Sequence, residues 1–458
     1  MVFSSLTFLI FALPLCLAVY YLIPRPARNL WLLVFSLVFY AWGEPVYILL
    51  MLASITFNYL CGLALGRHEK PAARRALLAL ALAVNLGALF LFKYLGFSAG
   101  VARRLFGLSV PVPKLELPLG ISFYTFQALS YTIDVYRGDV PVQKRWHDLA
   151  LYVCFFPQLI AGPILRYDAV APQIRSREET LEGFWWGLKR FAVGLGKKVL
   201  IANSVATLAT EAFSTAGLTV GCAWLGAVAY SLQILFDFSG YSDMAIGLGA
   251  MFGFRYPENF NAPYTAVTIR DFWRRWHISL STWFRDYLYI PLGGSRRGKG
   301  RHILNLLIVF IVTGIWHGAG TTFLVWGLYY GVLSALGALL NYRASRRLPL
   351  RACQRVLTLL LVLLGWVVFR ADSMAQAMAY FRGMVHGGSR MLYSLTPHAA
   401  LAVALGCLFA SALPQRLREA MPERTRDILS LIAVPVLLAL GMMSLASGTY
   451  NPFIYFRF

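Results

Sequence analysis

The sequence predicts an all-α polytopic integral membrane protein with about 9–12 membrane-crossing helices, plus re-entrant or interfacial pieces near its centre. Of its 458 residues, 59% are hydrophobic and 14% are charged, whereas soluble domains carry about 25% charged residues. Several apolar runs approach the ~20 residues that cross a bilayer as a helix. These runs lack the apolar–polar alternation of membrane β-strands. We expect one integral membrane domain over residues 1–458.

The net charge is +22, which in a soluble protein would suggest nucleic-acid binding. Here the basic residues collect in short loops between apolar runs, as the positive-inside rule requires of cytoplasmic loops. The charge therefore indicates a lipid bilayer as the partner and no nucleic acid.

The first predicted span covers residues 2–24 and is followed by Arg25 and Arg28. No basic residue precedes it, which is the reverse of a secretory signal peptide. We expect an uncleaved helix whose N-terminus is periplasmic. Further spans are predicted at about 30–46, 47–66, 75–97 and 118–136, with the basic loop RHEKPAARR inside.

The C-terminal third has three strongly basic loops, at 295–302, 343–355 and 414–425, and all three are predicted to be cytoplasmic. The spans predicted around them cover about 303–317, 356–370, 399–413 and 428–447. This topology places His317 toward the outer half of the membrane and the C-terminal TYNPFIYFRF in the periplasm.

The central segment, 148–300, mixes apolar stretches with polar groups and does not resemble a series of simple spanning helices. Pro157, Gly162 and Pro163 predict a broken or re-entrant element, which is tolerated at membrane depth only where protein buries it or it lines a cavity. No internal repeat is visible, so the sequence does not support an inverted-repeat transporter.

His317 lies in GIWHGAG (314–320), at the end of an apolar run. An ionisable group in a span is costly and therefore suggests function, and Gly318 and Gly320 would leave room for a substrate beside it. The alternative is a histidine satisfied by a backbone carbonyl at a helix end.

The segment 269–289, IRDFWRRWHISLSTWFRDYLY, is predicted to form one amphipathic helix. Its apolar face would contain Trp273, His277, Leu280 and Phe284. His277 is the unusual member of this face, although a single histidine there is more often structural.

Two carboxylates, Asp237 and Asp243, lie in the largely apolar FDFSGYSDMAIG (236–247). They either pair with nearby arginines and hold the core together, or one of them orients a catalytic histidine. The basic loop at 295–302 is explained by topology, but it could also attract the phosphates of an acyl-CoA.

Several known kinds of site are absent from the sequence. It has no Walker A loop, no GxSxG elbow and no HExxH or cysteine–histidine spacing for a metal. Histidine with nearby carboxylates and hydroxyls remains, which suits general-base activation of a hydroxyl.

At FWRRWHISLSTWFRDYLYIPLGG and the later GIWHG, the sequence resembles the membrane-bound O-acyltransferase family, and in particular its bacterial alginate O-acetylation branch. The resemblance runs nearly end to end. Its other motifs are LPLGISFYTFQALSYTIDVYRGD (117–139), FPQLIAGPILRY (156–167), FDFSGYSDMAIGLG (236–249), ENFNAPY (258–264) and the terminal NPFIYFRF.

The resemblance implies a many-helix fold around a central tunnel, with a catalytic core at about 117–372. It implies that His317 is the catalytic base or an acyl relay and that His277 is the second catalytic position. Further substrate-contacting or tunnel-lining candidates are Trp316, Gly318, Asp237, Asp243, Trp273, Trp276, Ser279 and Arg274. No metal and no permanently bound cofactor is expected.

The implied activity is transfer of an acyl group, most simply acetyl, from a cytoplasmic thioester such as acetyl-CoA across the bacterial inner membrane, for O-acetylation of a periplasmic or secreted polysaccharide. The implied partners are a periplasmic SGNH or esterase-like acetyltransferase and the polysaccharide secretion machinery. Peptidoglycan O-acetylation and D-alanyl transfer to teichoic acid remain alternatives. A non-catalytic transporter or channel subunit, in which His317 and His277 are structural, is the alternative from another class.

Overall fold

In a computed structural model, the described residues, 2–108, 111–113, 115–448 and 454, form helices joined by turns and loops, with one isolated bridge between Leu218 and Arg390. Apart from Ile454, the predicted periplasmic C-terminus lies outside the described residues. The chain divides into two compact units, residues 1–188 with 244–257 and residues 189–243 with 258–458.

The first unit begins with a π-helix, Phe8–Ala12. Its α-helices are α1 (Leu13–Leu22), α2 (Arg25–Ala41), α3 (Tyr47–Arg67), α4 (Pro71–Leu89), α5 (Leu95–Phe106), α6 (Ile121–Arg137), α7 (Trp146–Cys154), α8 (Phe156–Leu159) and α9 (Tyr167–Arg175), with a π-helix at Phe90–Tyr94 between α4 and α5. Two longer helices, α10 (Leu181–Gly196) and α12 (Val220–Met251), contribute residues to both units.

The second unit holds the remaining helices. They are α11 (Asn203–Ser214), α13 (Ile269–Trp273), α14 (Ile278–Phe284), α15 (Lys299–His317), α16 (Thr321–Leu339), α17 (Leu348–Arg370), α18 (Met374–His386), α19 (Pro397–Ala410), α20 (Leu413–Ala420) and α21 (Glu423–Ala446), with π-helices at Lys197–Ala202 and Arg285–Tyr289 and a 3-10 turn at Pro263–Thr265.

Among the described residues, eight helical segments are long and apolar enough to cross a membrane, or nine if α19 and α20, bent by 61°, form one span. The eight are α3, α4–α5, α10–α11, α12, α15, α16, α17 and α21. The predicted spans at 2–24, 30–46 and 118–136 correspond to shorter helices, Phe8–Leu22, α2 and α6. The chain is an all-α, multi-pass membrane protein.

The central segment is broken only in part. Between α7 and α9 the chain forms only the single turn α8, which contains Pro157, and then an irregular stretch with Gly162 and Pro163. This broken stretch is buried, as predicted. The expectation of irregular pieces was wrong for 181–251, because α10–α11 and α12 are long continuous helices. It was confirmed for 252–298, where turns and loops join only short helices. Most of the apolar window of α12 is buried inside the protein, which lets a helix carry two carboxylates at membrane depth.

Helices α15 and α16 pack closely and place His317 at their junction. A Cβ added to Gly314 would lie 2.3 Å from the carbonyl oxygen of Phe323, and one added to Gly327 would lie 2.5 Å from that of Phe310. Such distances are too short for a side chain, so glycine at both positions permits the backbones to approach.

Candidate functional site

The segment predicted as one amphipathic helix is broken at His277. Helix α13 ends at Trp273, α14 begins at Ile278, and His277 between them has φ 44° and ψ 55°. This left-handed conformation costs about 1–2 kcal/mol for a non-glycine residue and ends a helix. The single-helix prediction was therefore wrong, although Trp273, His277, Leu280 and Phe284 do share one side, since all four line the same cavity.

Asn259 holds the chain in this broken conformation. Its side-chain Oδ1 accepts hydrogen bonds from the backbone N–H of Ser279 at 3.2 Å and from Ser279 Oγ at 2.9 Å. Its carbonyl oxygen accepts from the N–H of Ile278 at 2.9 Å, and its Nδ2 donates to Ser242 Oγ at 2.9 Å. These bonds stabilise the strained residue, since a left-handed non-glycine persists only where its surroundings hold it.

The side chain of His277 is 1% exposed, and its Nδ1 lies 3.2 Å from Asn259 Oδ1. Its ring packs edge-on against Phe238, with ring centroids 4.6 Å apart, and against Trp316 at 6.3 Å. His277 lies outside the candidate membrane-spanning helices. Burial among protein side chains lowers its pKa to about 3, so the ring is neutral at physiological pH.

His317 is the last residue of α15 and is 7% exposed. Its ring makes edge-on contacts with Trp326 and Phe369, each at a centroid distance of 5.2 Å. Trp316 packs against both histidines, because its ring centroid is 5.0 Å from that of His317 and 6.3 Å from that of His277. The two histidines thus contact the same indole ring system.

An aromatic wall surrounds this region. Trp326 and Trp366 are each 1% exposed. Trp273 packs on Trp326 at 5.6 Å and Trp276 packs on Trp366 at 4.8 Å. Rings of this size bury large apolar surfaces and exclude water.

A cavity of about 660 Å³ connects the histidines to an exposed, basic rim. His277 and His317 lie on its buried part, and apolar residues of α15, α16 and α17 line its length. Four arginines, all exposed, also line it: Arg270, Arg274, Arg285 and Arg343. The volume is within the range of ordinary ligand pockets, about 300–1,000 Å³.

Five of the predicted site residues line this cavity, namely His317, His277, Trp273, Trp276 and Arg274. Trp316 and Ser279 do not line it; Trp316 packs on both histidines and Ser279 is bonded to Asn259. Gly318 does not line it. The space expected for a substrate beside Gly318 is filled by the Phe323 ring, which a Cβ there would meet at 2.2 Å.

The two carboxylates of α12 pair with cations. Asp243 binds Arg190 at 2.7 Å and Lys197 at 2.6 Å. Asp237 lies 2.6 Å from Lys198 Nζ and also accepts from the backbone N–H of Ile454 at 2.7 Å. Neither carboxylate lines the cavity, so their placement fits the core-stabilising alternative rather than the orientation of a histidine.

Asn259 is the site residue that sequence reasoning missed. It lies in ENFNAPY, a motif that marks the resemblance, yet its residue type and spacing did not identify its contact with His277. Arg343 was also not grouped with the arginines of 269–289, because its loop and that segment come together only through packing around the cavity.

Comparison with known proteins places this site in a family. The model of the membrane-bound O-acyltransferase family matches residues 146–381. The chain is 45% identical to the probable alginate O-acetylase of Pseudomonas aeruginosa, over 90% of this chain and 80% of that protein. It is 39% identical to the probable alginate O-acetylase of Azotobacter vinelandii over the full length of both.

A third relative is the peptidoglycan O-acetyltransferase of Helicobacter pylori, 36% identical over 84% of this chain and 80% of that protein. The family model covers more than half of the chain, and relatives above 30% identity cover most of it. The chain therefore belongs to the membrane-bound O-acyltransferase family and is a multi-pass membrane acyltransferase.

Proposed function

We propose that this acyltransferase moves an acetyl group from a cytoplasmic thioester donor to the extracytoplasmic side of the bacterial inner membrane, for O-acetylation of alginate. The polymer is inferred from the alginate O-acetylases, which are 39–45% identical to this chain. Acetyl-CoA is the simplest donor and enters as a substrate.

The observation that carries the proposal is the chemistry of the two parts of the cavity. Exposed arginines line one part, and two buried histidines lie on the other. Guanidinium groups bind phosphates with paired, charge-assisted hydrogen bonds, and coenzyme A carries a pyrophosphate and a 3′-phosphate. Its thin pantetheine arm would then follow the apolar lining and bring the thioester to the histidines.

The membrane orientation follows from the positive-inside rule. Arg343 lies in the connection between α16 and α17, at the start of the basic stretch 343–355, which continues into the first turns of α17. The basic stretch 295–302 likewise runs into the first turn of α15. Both stretches are placed in the cytoplasm, where acyl-CoA is made. The same alternation places both termini in the periplasm and His317 toward the outer half of the membrane.

The proposed reaction is transfer of an acyl group from sulfur to oxygen. In the direct route, a neutral histidine accepts the hydroxyl proton, the oxygen attacks the thioester carbonyl, the C–S bond breaks and the thiolate takes up a proton. In the relay route, His317 nitrogen attacks the carbonyl first and releases the thiol, and the acyl group then passes from nitrogen to the hydroxyl oxygen. In both routes the aromatic wall limits hydrolysis by excluding water.

We propose that a periplasmic SGNH or esterase-like acetyltransferase, together with the secretion machinery, completes transfer to the polymer. The support is the small size of the segment between α17 and α19, which this topology places outside. It holds only α18 and short connections, and a long polysaccharide needs a more extended binding surface than these elements supply.

The experiment compares His317→Gln and His277→Gln with His386→Gln, a matched control at an exposed histidine that does not line the cavity. Each variant is expressed at matched membrane level in cells lacking the wild-type gene. Ester-linked acetate is measured separately in secreted polysaccharide and in cell wall. We expect transfer to fall by about 10²–10⁴-fold for the site variants and to stay unchanged for the control.

The fraction that loses acetate identifies the acceptor. Loss from the secreted polymer supports alginate acetylation, whereas loss from the cell wall would instead assign peptidoglycan, the acceptor named for the Helicobacter pylori relative. Unchanged acetate in both fractions for His317→Gln would refute the catalytic role of His317 and favour a transporter subunit.

A further inference from the structure

The hydrogen bonds around His277 indicate which of its ring nitrogens carries the proton. The backbone N–H of Ser279 can only donate, and it points to Asn259 Oδ1 at 3.2 Å. The other amide atom of Asn259, Nδ2, meets Ser242 Oγ at 2.9 Å. Since a backbone N–H is an unambiguous donor, the amide orientation of Asn259 is defined by the network.

The orientation of Asn259 in turn defines the tautomer of His277. The atom 3.2 Å from His277 Nδ1 is Asn259 Oδ1, which can only accept a hydrogen bond. Ser279 Oγ also lies 3.5 Å from Nδ1, but it donates its proton to Asn259 Oδ1 at the shorter distance of 2.9 Å. The network therefore favours a proton on Nδ1, which leaves an unshared electron pair on Nε2 of the neutral ring. Among the described residues, Nε2 is buried and has no hydrogen-bond partner.

The surroundings of Nε2 suit a proton acceptor. His277 lines the cavity, and the rings that pack against it belong to Phe238 of α12, Phe260 of the preceding loop and Trp316 of α15. None of these rings is charged. A buried acceptor without a partner costs about 1–3 kcal/mol, so its retention indicates that a substrate group meets it there.

We infer that Asn259 is a positioning residue that holds neutral His277 with Nδ1–H bonded and Nε2 facing the cavity, where Nε2 accepts the proton of the acceptor hydroxyl. This inference rests on the proposed acyl transfer. The hydroxyl proton moves to Nε2 while the oxygen bonds to the acyl carbon. The C–S bond then breaks, and Nε2–H returns the proton to the departing thiolate.

The strained backbone of His277 serves the same arrangement. His277 has a left-handed backbone, and Ser279, two residues later, is hydrogen-bonded to Asn259. This backbone lets the His277 side chain contact Asn259 and also line the cavity. The proposed roles divide the site, with Asn259 holding the tautomer and His277 touching the substrate.

The first test measures the tautomer directly and needs no activity. The full chain, with its seven histidines labelled with ¹⁵N, is reconstituted in lipid and studied by solid-state NMR at pH 7. Subtracting the spectrum of His277→Gln identifies the His277 signals. We expect a protonated Nδ1 and an unprotonated Nε2. Protonation at Nε2 would overturn the inference, whatever the activity.

The second test uses Asn259→Asp, which keeps an acceptor oxygen but adds a negative charge beside Nδ1. A carboxylate at this distance raises the pKa of a histidine by about 1–3 units. Protonated His277 cannot accept a proton, so the acid limb of the kcat profile for thioester-to-hydroxyl transfer should move to higher pH by about that amount. KM for acetyl-CoA should change little. Asn259→Leu should lower kcat at least tenfold, since loss of tautomer control in a catalytic triad costs up to about 10⁴-fold.

The matched control is Asn305→Asp, at a buried asparagine whose Nδ2 donates to the carbonyls of Leu292 and Gly294 and which does not line the cavity. It should lower protein level without moving the pH profile. An Asn259→Asp profile identical to wild type would refute the positioning role. Wild-type protein with the expected tautomer but no acyl transfer would instead refute the proposed function alone.

Discussion

Replacing Gly318 by alanine is a direct test of how His317 is held. The added Cβ would lie 2.2 Å from the Phe323 ring, about 1.2 Å short of the 3.4 Å of ordinary contact. The Phe323 ring packs on Phe369 at 5.2 Å, and Phe369 packs on His317 at 5.2 Å. The ring displaced by alanine therefore belongs to the stack that supports the histidine.

The size of the effect follows from the overlap. Overpacking of a tight site costs about 1–3 kcal/mol, and about 2–4 °C of melting temperature is lost for each kcal/mol in a unit of this size. The expected decrease is roughly 2–12 °C. Transfer should fall by up to about 10²-fold, because a shift of about 1 Å at a reacting group has that effect.

Gly320→Ala is the matched control, because its Cβ would lie 3.4 Å from the same Phe323 ring. Both glycines have extended backbones, with φ −171° and −158°, so alanine is conformationally acceptable at both. Thermal unfolding in detergent and acetate transfer in membranes are measured for both variants. Equal melting temperatures and equal transfer for the two variants would refute the argument that Phe323 fills the space at Gly318.

Three further predictions address the cavity, the ion pairs and the aromatic wall. Arg343→Ala should raise KM for acetyl-CoA about tenfold with kcat retained, since a hydrogen bond to a charged group contributes about 1.5–3 kcal/mol. Arg346→Ala, in the same loop but outside the cavity lining, should leave KM unchanged. Equal KM values for the two variants would exclude phosphate binding by Arg343. Asp237→Asn should destabilise the protein by about 3–5 kcal/mol, because it leaves Lys198 buried without its carboxylate. The double variant Asp237→Leu with Lys198→Met should restore membrane level and transfer. A well-folded double variant without transfer would instead place Asp237 in the reaction. Trp366→Ala should destabilise the protein by about 3–5 kcal/mol, because Trp366 is 1% exposed and donates a hydrogen bond to Tyr264 Oη at 3.0 Å. Trp42→Ala, at an exposed tryptophan, should be nearly neutral in the same melting assay.

Composition and local pattern determined much of this protein. Membrane spans follow from the length of apolar runs, since about 20 apolar residues match the bilayer core wherever they occur. The motif around GIWHG directed attention to His317, because an ionisable group is costly at membrane depth. The break between α7 and α9 could also be predicted, because proline and glycine act on the local backbone.

Tertiary structure decided what depends on contacts between distant segments. The spacing of apolar residues in 269–289 favours one continuous helix. Asn259 instead holds His277 in a left-handed conformation, which divides the segment into two helices. Asp237 and Asp243 remain inside a continuous helix, because Lys198, Arg190 and Lys197 on neighbouring turns neutralise them. A helical period indicates which residues can share a face of a helix. The hydrogen-bond partner of a buried polar group, however, is supplied by another part of the chain, so only the packing of the fold identifies that partner.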